Sequence, residues 1–309
     1  MEEKKILDFY EAFAKLIQPS VCDKLFGELV NAMICGHELE SSGECSKELY
    51  EYMLTFEILA ISNQRPEYRD ELTVYPFSII DEEYYKGVLK SYTIDDIINY
   101  RRTLFLNKLA IDIEHNPNGY LYLLLKNFYP SYIEVFNNWI KVKEILRQGW
   151  INRQVDPLNI ESDAMHSIQM FALASVCMHV YHLDYLDKQK VYEMIIIHEI
   201  AESLIGDIVE GTDEHLTKSE RERLAVYNIF DSFKNKEYFI NLWEEFEYRK
   251  SEEAKFVYEL DKLDPVLKAR YLDKTLNRED LFDDFYDYED NRGTFIDTPF
   301  QRLFYSNMS

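Results

Sequence analysis

Apolar residues return at helical spacing along much of this chain. In the opening segment MEEKKILDFYEAFAKLI, the residues Ile6, Phe9, Tyr10, Phe13, Leu16 and Ile17 fall on one face, with charged residues on the other. That stripe predicts an amphipathic helix, and a second apolar run from Leu49 to Ile61 predicts another. Pro66 and Pro76 interrupt any helix across 65–80, which reads as a loop or a short edge strand. Thr93 ahead of Asp95 and Asp96 marks a helix start, and that helix should run to Ile111. The sequence HNPNG at 115–119 is a turn signal. After Pro130 a further helix should begin at Ser131 and carry Ile133, Phe136, Trp139, Ile140 and Val142 toward Leu146.

Composition sharpens the fold class. An apolar share of 47% across 309 residues is ample for a buried core, while nine glycines and eight prolines are too few for the many tight turns of an all-β chain. The expectation is an all-α protein. A formal charge of −23 repels phosphate backbones, which excludes duplex nucleic acid as a natural partner. A small nucleotide remains compatible where local cations oppose that field. No apolar stretch has the length of a signal peptide or membrane span, so the expected location is cytoplasmic, without membrane association. Cys22, Cys35, Cys45 and Cys177 are irregularly spaced and read as reduced, buried thiols. Cys35, His37 and Cys45 lack the paired CxxC and the fourth ligand of a structural zinc site. Near the end, DLFDDFYDYED alternates acids with aromatics, as a tail folded back through its rings or as an acidic strip offered to a partner.

Chemistry concentrates in residues 191–207, VYEMIIIHEIAESLIGD, which read as one apolar helix interrupted by His198, Glu199 and Glu202. Burying such groups without partners is costly. His198 and Glu202 are four apart and share a face, and Glu199 lies three before Glu202, so all three can line one cavity. Imidazole beside carboxylate suits a divalent metal of intermediate hardness. Further ligands are available in His166 of ESDAMHS and Asp261 of YELDKLDP, both on predicted helices.

The order His166, His198–Glu199, Asp261 resembles the metal set of the HD phosphohydrolase superfamily. The surroundings resemble its small 5'-deoxynucleotidase-like branch. Gly149, Trp150 and Arg153 are similar to that branch's GW..R element, Glu161 and Ser162 to its ES…H start, and Glu202, Gly206 and Asp207 to the stretch after the metal pair. Lys218 and Glu222, LWEEFE at 242–247 and EEAKFVYELDKLD at 252–264 continue the likeness in order. It implies a helical HD-type domain over 131–275, preceded by an N-terminal helical region over 1–130 and followed by an acidic aromatic extension over 276–309.

The resemblance implies a mechanism as well. His166, His198, Glu199 and Asp261 would hold one divalent ion, among manganese, cobalt, iron, magnesium and zinc, which binds the substrate phosphate and activates water. Glu202 would be the general acid or base, with Asp207 ordering water or the leaving group. Arg153 and Lys218 would meet the phosphate, and Trp150 would border the sugar or pack in the core. The implied reaction is hydrolysis of a small phosphorylated substrate, foremost a (deoxy)nucleoside 5'-monophosphate. Because the related small enzymes pair, a homodimer is also implied.

Two positions depart from the family pattern. Glu199 replaces the usual aspartate, its extra methylene moving the carboxylate by ~1.5 Å. Met165 stands where an acid is usual, removing a carboxylate that would support a ligand. These departures motivate a second reading, a domain that binds a nucleotide or metal but turns over poorly and serves regulation or interaction. A third, a purely structural acidic adaptor, leaves the polar residues of 191–207 unexplained.

Overall fold

The computed structural model describes residues 2–16, 130–207, 218–233, 235–278 and 280–281, with isolated positions at 22, 26, 27, 29, 30, 33, 34, 37 and 300. The elements expected over 49–61, 65–80, 93–111 and 115–119 lie outside the described residues, as do Cys35 and Cys45. Among the described residues every regular element is helical: α1 (Glu2–Leu16), α2 (Pro130–Trp139), α3 (Gln148–Asn152), α4 (Asp163–Val180), α5 (Lys188–Ile197), α6 (Glu202–Ile205), α7 (Lys218–Phe230), α8 (Lys236–Glu247) and α9 (Glu252–Leu276). The fold is all-α. None of these helices is long and apolar enough to cross a membrane.

α4 is the central helix. Every residue in it except Ser175 and His179 is buried, as a helix apolar on nearly all sides must be. Ser162 caps its start by accepting from the Met165 amide at 3.2 Å, a role in which hydroxyl residues excel. Around it pack α1, α5 and α9. Ser251 caps α9 in the same way through the Ala254 amide. Pro265 lies inside α9; lacking an N–H, it cannot donate to the carbonyl of Asp261 one turn earlier.

The stripe read from the first seventeen residues is a real interior face. Ile6, Phe9, Tyr10 and Phe13 are buried in the same core cluster as the residues of α4 and α9. Each large apolar side chain so buried contributes about 1.5–3 kcal/mol. Cys22 and Cys177 are buried free thiols, and His37 stacks on Tyr238 with ring centroids 3.8 Å apart. At the other end Phe300 is fully buried, in ring contact with Tyr181 and Phe256, so the chain folds back onto the core at that point.

Two expected helices are corrected. The helix from residue 131 is α-helical only to Trp139 and continues as a 3-10 turn over Ile140–Lys143, while Leu146 is paired in an isolated antiparallel bridge with Ser162. The tighter winding, three residues per turn, puts Trp139 and Val142 on one buried side.

More consequential is the break at 198–201, which divides the single helix expected over 191–207 into α5 and α6. Its cause is competition for two carbonyls. The Ile195 carbonyl, which regular winding would pair with Glu199, accepts from His198 Nδ1 at 2.7 Å. The Ile196 carbonyl, which would pair with Ile200, accepts from Trp139 Nε1 at 3.1 Å. Ile200 donates instead to Ile197 and Glu202 to Glu199, at 3.0 and 3.1 Å, the shorter spacing of a 3-10 turn. Trp139→Phe keeps a ring in the core but leaves the Ile196 carbonyl without this donor. It should cost about 1 kcal/mol in urea unfolding, one hydrogen bond's worth; no loss would show that water replaces the indole.

Candidate metal centre

Two helices and the break between α5 and α6 bring four donors together. His166 comes from α4, His198 and Glu199 from the break, and Asp261 from α9, and one ligating atom from each lies within 4.8 Å of all the others. Metal bonds of ~2.0–2.2 Å allow donors at most ~4.4 Å apart, so only a slight contraction would seat an ion. His198 supplies the sharpest sign of fit. A carbonyl can only accept, so Nδ1 donates to it, which leaves Nε2 as the ring nitrogen turned to the donor set. That Nε2 is buried with no hydrogen-bond partner, 3.4 Å from Glu199 Oε1.

His166 is held from both sides, with Nδ1 2.7 Å from Asp264 Oδ2 and Nε2 3.1 Å from Asp261 Oδ1. Burial and the Arg147 charge favour the neutral ring, but the hydrogen bonds to Asp261 and Asp264 outweigh them and push its pKa up to about 10. A cation taken up at Nε2 displaces that proton. Asp264 also answers the absence of an acid at Met165: the outer carboxylate reaches His166 from α9 instead. Glu199 uses its extra length to reach Arg147 Nη1 at 2.6 Å while remaining within the donor set. Burial would raise its pKa, but the neighbouring His198 and Arg147 hold it well below the usual carboxylate range.

Beside the four donors lies a second group of acids. Asp163, Glu199 and Glu202 bring carboxylate oxygens within 4.8 Å of one another. Burial, then the charge of Glu199, pushes both Asp163 and Glu202 well above ordinary carboxylate values. Glu202 accepts from Lys218 Nζ at 3.1 Å through Oε1, and its Oε2 is buried without a partner. Lys218 also meets Glu222 at 3.3 Å. Burial favours neutral Lys218, but Glu202 and Glu222 outweigh it and keep the ammonium charged.

The remaining predicted residues lie on α3 and just beyond α3 and α6. Gly206 ends α6 at φ +75°, a conformation suited to glycine, and the chain then turns so that Asp207 Oδ2 accepts from the Gln148 amide at 2.6 Å. Asp207 thereby secures the start of α3. Arg153 donates from Nη1 to the Gly149 carbonyl at 3.0 Å. Trp150 is 1% exposed in a second core cluster with Val155, Ala269, Leu272 and Leu281, and its Nε1 donates to Glu161 Oε1 at 2.9 Å. Its indole packs rather than borders a sugar.

A family model described as an HD domain matches residues 140–294 of the 309. The chain is 30% identical over 153 residues to a Mus musculus protein named 5'-deoxynucleotidase HDDC2, covering 48% of this chain and 72% of the mouse protein. The chain belongs to the HD-domain family. A Dictyostelium discoideum protein of the same name is 31% identical over 152 residues, covering 47% of this chain and 78% of its own. A solved protein from Pyrococcus horikoshii is 30% identical, covering 50% of this chain and 85% of that one, with a TM-score of 0.43.

This HD domain also uses residues that spacing alone did not single out. Arg147 lies 2.6 Å from Glu199 and 3.7 Å from Asp163, a cation set among acids. The signal available was an arginine beside the GW element in a strongly acidic chain. Asp163 and Asp264 stood within the quoted motifs, but only packing shows that one faces Glu199 and the other His166.

Proposed function

We propose that this HD domain is a metal-dependent phosphohydrolase acting on (deoxy)nucleoside 5'-monophosphates. The observation that carries the reading is the convergence of His166, His198, Glu199 and Asp261, with His198 Nε2 buried and without a hydrogen-bond partner among them. Two imidazoles and two carboxylates suit manganese, iron, cobalt or zinc better than magnesium, which prefers an all-oxygen shell. When bound, such an ion polarises a phosphoryl oxygen and acidifies water.

The chain's own groups supply the rest. Burial and the Glu199 charge favour the protonated form of Glu202, which would give its proton to the departing oxygen, while Lys218 orients its carboxyl and brings positive charge toward the phosphate. Arg153 is the second proposed phosphate contact, its planar fork suited to paired oxygens. Asp207 is proposed to act from the rim, holding α3 and contributing to the field that keeps Lys218 charged. The names of the relatives support the substrate class. The poorly turning alternative loses its motive, since Glu199 reaches the donor set and Asp264 supplies the carboxylate that Met165 does not. Buried thiols at Cys22 and Cys177 fit the proposed cytoplasmic location.

Phosphate release from a panel of nucleoside mono- and triphosphates, with each divalent metal in turn, tests the proposal. Turnover of 5'-monophosphates should require metal, and His198→Ala should lose both bound metal and turnover. Release that persists in His198→Ala would place the chemistry elsewhere; metal binding without release from any substrate would favour a regulatory role.

A further inference from the structure

The family match begins at residue 140, yet one residue far ahead of it enters the support of the metal centre. α1 packs on α4 and α9, the helices that carry His166 and Asp261. Among the buried residues described on α1, Ile6, Phe9, Phe13 and Ala14 are apolar, and Tyr10 alone brings a polar atom inward. Its hydroxyl lies 2.9 Å from Asp264 Oδ1, and Asp264 Oδ2 lies 2.7 Å from His166 Nδ1. The opposite nitrogen of His166 belongs to the donor set. A single chain of contacts thus runs from α1 through Asp264 to a metal-ligating ring.

The hydroxyl is itself fixed from a second side. Gln169 Nε2 donates to Glu161 Oε2 at 2.6 Å, which turns its Oε1 toward Tyr10 at 3.2 Å. With one proton to give, Tyr10 makes its shortest contact with Asp264 Oδ1. Holding that oxygen leaves the other directed at His166, which keeps the Nδ1–H in place and Nε2 turned to the donor set. A carboxylate released from Tyr10 is free to rotate and to share its charge differently.

We propose that Tyr10 is a positioning residue of the metal centre, acting through Asp264 on His166, so that the segment before the HD-domain match completes the support of a ligand. The inference rests on the metal-binding reading given above. It differs from a packing role, which would change the stability of α1 and leave the metal site as it was.

Tyr10→Phe in the full chain removes the hydroxyl and keeps the ring; Phe13→Leu loosens the same helix face without touching the network. Cobalt affinity is read by chelator competition on the holoprotein, together with the visible absorption of the bound ion, so neither readout depends on turnover. Tyr10→Phe should weaken cobalt binding by about 10–100-fold and alter the spectrum, the range found when outer partners of metal-bound histidines are lost. Phe13→Leu should lower stability with cobalt affinity and spectrum unchanged. Unchanged affinity in Tyr10→Phe, or equal weakening in both variants, overturns the proposal. A parent protein that takes up no metal overturns the metal-site reading and this inference with it.

Discussion

Glu202→Gln is expected to bind metal as the parent does and to lose about 10²–10⁴-fold in kcat, the range for removing a positioned proton donor. The substitution keeps an oxygen for Lys218 and removes the ionisable carboxyl beside Asp163 and Glu199. Steady-state kinetics with metal content measured on the same sample checks it; unchanged kcat at full occupancy would take Glu202 out of the chemistry. Stability should respond in the opposite sense. Burial and the Glu199 charge raise the folded pKa of Glu202. In the metal-free parent its contribution is therefore complete below the unfolded carboxyl pKa and is lost as pH rises through the folded value. The glutamine variant should show a shallower fall in stability over that window.

The second large effect belongs to Arg147→Met. This guanidinium, largely buried, faces Glu199 at 2.6 Å and Asp163 at 3.7 Å, and the acids around it outweigh the burial that opposes its charge. Removing one partner from a buried ion pair costs about 3–5 kcal/mol, because the remaining charge is left uncompensated. That loss should appear in the metal-free protein and shrink when metal is added, since a dication at the donor set supplies the missing positive charge. Thermal unfolding with and without manganese therefore has a signed expectation: the metal-induced rise in Tm should be larger in Arg147→Met than in the parent. Equal losses in both conditions would show that Arg147 acts through packing alone.

What was legible in the sequence divides along a physical line. The apolar face of α1, the helical class and the polar intrusions at His198, Glu199 and Glu202 are local patterns, and local patterns survive folding. The break after Ile197 was not legible. It depends on Trp139, 57 residues before Ile196, taking a carbonyl that the intact helix would have used. Arg147, Asp163 and Asp264 escaped for the same reason, being ordinary polar residues in sequence whose partners are defined only once α4 and α9 are packed together. Trp150 shows the converse, a residue with a chemical look whose surroundings on all sides are core.

Tyr10 and Phe300 also bear on where this protein can be cut. One lies before the span shared with HD-domain relatives and the other after it, and both are sealed into the interior of that shared span. A fragment trimmed to the family boundaries would present raw apolar faces on α4 and α9 and leave Asp264 without its hydroxyl partner. The segment shared with the family and the folding unit therefore have different edges.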